Sequence, residues 1–185
     1  TKSNGLIDEF ISYAKQNGGC LKISYQDEHL KSIMGMMITI QTVWHIVKQI
    51  GSNFDIEYKV EAYRDDKGNA NKICTNMPSS EVRDKWLTNF TNAWIDDLKY
   101  DQNIEGHLLP VVSVPKRTLT HWRVLSITCG NKKLSIYPDG GFINEWNIAR
   151  QPNGERFEVE TITYDTKIYL YRNKDIKFDI AIENC

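Results

Sequence analysis

The chain has 185 residues, with 23 Lys or Arg against 24 Asp or Glu, and 41% of its residues are hydrophobic. That length fits one domain with an ample core, and the 11% aromatic content excludes a disordered chain. The balanced charge argues against a basic nucleic-acid platform, and no run of roughly 18 apolar residues is present to span a membrane.

Leu6, Ile7, Phe10, Ile11 and Ala14 recur at helical spacing, and Asn17-Gly18-Gly19 stops that helix. Cys20 to Tyr25 reads as a short strand. From Asp27 to Ile50 three- and four-residue steps of apolar residues predict a helix, with a break near Gly35. Phe54, Ile56, Tyr58, Val60 and Ala62 share one parity, the mark of a half-buried strand. Ser79 or Ser80 caps a further helix whose apolar stripe is Val82, Trp86, Phe90, Trp94 and Leu98.

After Gly106 the period changes to two. Strands are expected at 108–114, 122–128, 133–137, 157–164, 167–171 and 177–182, separated by turn signals such as Gly130-Asn131 and Pro152-Asn153-Gly154. Helices first and an antiparallel sheet afterwards define an α+β class, as a single domain over 1–185 with a helix-rich part, 1–105, and a β-rich part, 106–185.

One constellation could carry chemistry. A hairpin running from His121-Trp122 to Asp139 brings its two ends together. With a three-residue loop of Cys129-Gly130-Asn131, His121 and Asp139 would face each other at roughly 5 Å between Cβ atoms. A carboxylate there would hold the imidazole tautomer and stabilise its protonated form.

Leu108-Leu109-Pro110-Val111, then Thr120-His121-Trp122, then Asp139, with Trp86-Leu87 ahead of them, resembles the clan of ubiquitin-like-protein proteases, adenoviral proteases and related bacterial effector enzymes. The resemblance implies a papain-like cysteine hydrolase acting on a peptide or isopeptide bond. His121 would be its general base, Asp139 the orienting acid and Cys185 the nucleophile, with Trp122 packed beside the imidazole. A papain-type order uses Cys20 instead. No cofactor or metal is implied, and the partner is another protein, with nucleic acid disfavoured.

Two other readings stand beside it. Cys129 and Cys185, with Trp146 between them, are similar to the Cys–Trp–Cys pattern of a constant-type immunoglobulin domain, implying a disulfide-linked, secreted or viral protein-binding module. Pro138-Asp139 with Asp165-Thr166-Lys167 is similar to the acidic pair of metal-dependent nucleases. Neither a Gly-rich phosphate loop nor a dinucleotide fingerprint occurs in the sequence.

Overall fold

A computed structural model describes residues 2–28, 30, 33–62, 79–115, 118–119, 123–138, 146–148, 170–172 and 178–185. Helix α1 (Lys2–Asn17) leads into strand β1 (Leu21–Asp27), helix α2 (Ile33–Ile50), strand β2 (Phe54–Glu61) and helix α3 (Ser80–Gln102). Strands β3 (Gly106–Leu108), β4 (Val112–Val114), β5 (Val124–Cys129) and β6 (Lys132–Pro138) follow. The last are β7 (Trp146–Ile148), β8 (Leu170–Arg172) and β9 (Phe178–Asn184). Helices come early and strands late, so the class is α+β.

The main sheet has the order β3-β2-β1-β5-β6-β9, with β4 also paired to β2. The second half supplies the antiparallel strands β5, β6 and β9, while β1 and β2 run parallel, Leu21 opposite Phe54 through Asp27 opposite Val60. The parallel pairing follows from α2, because a strand can return in the same direction only through a crossover connection. β1 lies at the centre, antiparallel to β5 with Ile23 opposite Ile127. β7 and β8 pair with each other in a separate two-stranded ribbon.

Alternation along the strands decides which side is core. Leu21, Ile23, Tyr25, Phe54, Ile56, Tyr58, Leu125, Ile127, Leu134 and Ile136 all point to one side and are buried. Phe10 and Ala14 of α1, Met36, Val43 and Val47 of α2, and Leu87 and Leu98 of α3 close over that side in one continuous core. The other side of β1 and β2 carries Lys22, Ser24, Gln26, Asp55, Glu57 and Lys59, none of them buried. This is a two-layer packing of helices on a sheet.

Local chemistry explains the element ends. Gly18 (φ +60°) and Gly19 (φ +105°) end α1 in conformations that a Cβ disfavours, and Gly18 N donates to Ala14 O at 3.1 Å. Ser79 caps α3 by accepting from Val82 N at 3.3 Å, as expected for one of the two serines.

Three expectations are corrected. Helix α2 begins at Ile33 rather than Asp27 and continues through Gly35, because Asp27 is the last residue of β1. The residues of α3 that are buried are Arg83, Leu87, Thr91, Trp94, Ile95 and Leu98, whereas Val82, Trp86 and Phe90 are only half-buried. Steps of strictly four residues drift around a helix of 3.6 residues per turn, so such a stripe leaves the core face at one end. The 108–114 strand is two short strands interrupted around Pro110, which has no N–H to donate. The strand expected at 157–164 lies outside the described residues.

Candidate functional site

Of the proposed hydrolase residues, the described ones are Cys20 and Cys185. Cys20 is exposed, and a strand rather than a helix follows it at Leu21. Burial, followed by the Asp55 carboxylate, pushes its thiol up, the opposite of what a nucleophile needs. Cys185 is exposed at the end of β9, its N–H donating to Asn131 O at 2.7 Å.

His121 and Asp139 lie outside the described residues. The hairpin that was to join them turns on two residues, not three: Cys129 pairs with Lys132, with Gly130 (φ +57°) and Asn131 between them. Glycine at the first turn position suits the tight turn that matches strand twist.

The immunoglobulin-like disulfide is also corrected. Cys20, Cys129 and Cys185 are all free. β6 lies between β5 and β9 in one sheet, so Cys129 and Cys185 are about two strand spacings, roughly 10 Å, apart. A disulfide needs Cα atoms closer than about 7 Å. The Cys129 thiol is buried and pushed up by that burial, with its sulfur 3.6 Å from Gly18 O.

Among the described residues, a group of buried polar side chains lies elsewhere, at the carboxyl ends of β1 and β2. There Asp27, Glu28, Glu61 and Arg83 are all buried. The Tyr25 hydroxyl donates to Asp27 Oδ2 at 2.7 Å, and Arg123 Nε donates to Asp27 Oδ1 at 3.2 Å. Burial first, and the Asp27 charge second, hold the Tyr25 phenol well above its ordinary range. Glu61 Oε1 accepts from Leu119 N at 3.0 Å. Arg83, wholly buried in the first turn of α3, donates to the carbonyl of Glu61 at 2.6 Å, to Ser113 Oγ at 2.9 Å and to Asp84 Oδ1 at 2.8 Å.

This end is where open sheets with parallel strands commonly bind ligands, and the chain reverses its lateral direction at β1. Here the described guanidiniums are engaged by the protein's own carboxylates and carbonyls. The arrangement ties α3, β2, β4 and the segment after β1 together. Among the described residues no group of three or more His, Cys, Asp or Glu is placed to hold a metal ion. Asp165 and Lys167 of the nuclease-like motif, like Asp139, lie outside the described residues.

The sequence reading missed this centre, although one signal was present. Asp27 continues the parity of Leu21, Ile23 and Tyr25, so a carboxylate had to enter the buried side of β1 and find partners there. Arg83 offered a similar sign, sitting one turn before Leu87 on the face that α3 buries.

A groove of about 640 Å³ opens between α1, α2 and the β6–β9 side of the sheet. Ile7, Ile38, Ile46, Ile136 and Ile180 form its apolar lining, and Asp8, Gln41, Thr42, His45 and Gln49 its polar part. Thr42 and Gln49 bond back to the carbonyls of Ile38 and His45 on their own helix. Asp8, Gln41 and His45 are exposed at the mouth.

The described residues form an α+β domain with a buried polar cluster and a groove between helices and sheet. Residues 5–177 match the family described as the C-terminal domain of the DEAD/DEAH box helicase YjiV, and the chain belongs to that family. This overturns the resemblance to ubiquitin-like-protein and adenoviral proteases, and with it the cysteine-hydrolase activity. No curated protein matches the sequence. No helix among the described residues is long and apolar enough to cross a membrane.

Proposed function

We propose that this chain serves a DEAD/DEAH-box helicase as its C-terminal accessory domain, working by protein contact beside the motor rather than by nucleotide chemistry of its own. The family match over residues 5–177 carries this reading. Two features support it: the sequence has no Gly-rich phosphate loop, and the apolar groove suits protein side chains better than a phosphate backbone. Helicases act on nucleic acid, so membership of this family withdraws the expectation that disfavoured nucleic acid as a partner.

The test uses the isolated chain and the motor portion of the same helicase. The chain alone is expected to hydrolyse no ATP and to co-elute with the motor on size exclusion. Gln41→Glu with His45→Glu, at two exposed positions on the groove, should weaken that co-elution at least tenfold and leave the circular dichroism unchanged. ATP hydrolysis by the chain alone, or co-elution indifferent to the double variant, overturns the proposal.

A further inference from the structure

We draw no further inference here: the strongest candidate, the carboxylate cluster of Asp27, Glu28 and Glu61 at the carboxyl ends of β1 and β2, belongs to the site already described, and no second observation points to a ligand there.

Discussion

Tyr25 and Asp27 share the buried side of β1, and the phenol donates to the carboxylate at 2.7 Å. The bond keeps Tyr25 protonated, because an ionised phenol would sit buried against a like charge. Tyr58, also buried and bonded to Thr91 Oγ1 at 3.0 Å, is pushed in the same direction by burial.

These two phenols make the fold lose stability at alkaline pH. A folded pKa above the unfolded one means that the unfolded chain releases its proton first as pH rises. Stability is then full below the ordinary tyrosine range, about pH 10, and declines above it. Urea unfolding measured from pH 8 to 11.5 should show this decline. Tyr25→Phe with Tyr58→Phe should flatten the slope above pH 10 while lowering stability at pH 8. An unchanged slope would refute the assignment.

Arg83 is the strongest tie between α3 and the strand ends. Arg83→Met removes the donors from the Glu61 carbonyl and from Ser113, and leaves Asp84 without its cation. The expected loss is about 3 kcal/mol in urea unfolding, since breaking one partner of a buried network leaves the other groups unsatisfied. Arg83→Lys should recover only part of it, because an ammonium cannot reproduce the fork.

Gly106 leaves room for an aromatic ring. A Cβ at this position would lie 2.3 Å from Cζ of Phe54, which itself packs on Trp94 with ring centroids 5.2 Å apart. Gly106→Ala should therefore cost about 2 kcal/mol through overpacking. Adding Phe54→Leu should recover part of that cost, a coupling that a double-mutant cycle by thermal unfolding reads directly.

Ser135 predicts a gain. It is completely buried in β6, and its hydroxyl has no hydrogen-bond partner among the described residues. Ser135→Ala removes an unsatisfied polar atom at little cost in volume, so stability should rise by about 1 kcal/mol. A loss of that size would show that the hydroxyl is bonded in solution.

The elements were legible wherever a period was clean. β2 was read from the parity of Phe54, Ile56, Tyr58 and Val60, and the N-cap of α3 from its serines. The site was not legible, for two physical reasons. Arg83 meets Glu61, Ser113 and the Leu30 carbonyl only through the folded sheet, so no local spacing announces the cluster. The expected loop of Cys129-Gly130-Asn131 is one residue too long, because a Gly-Asn pair forms a turn by itself and leaves Cys129 in the strand.

The central position of β1 also governs how this chain reaches its native state. One flank of β1 finds β2 soon after synthesis, but the other waits for β5, whose Thr128 pairs with Lys22. Until β5 leaves the ribosome, β1 is an exposed edge with an apolar side, a template for pairing with other chains. Closing so long a loop is also slow relative to local helix formation. Nascent chains that stop short of β5 should therefore aggregate or require a chaperone, and β6 in turn presents an open edge until β9, the last strand made, pairs with it.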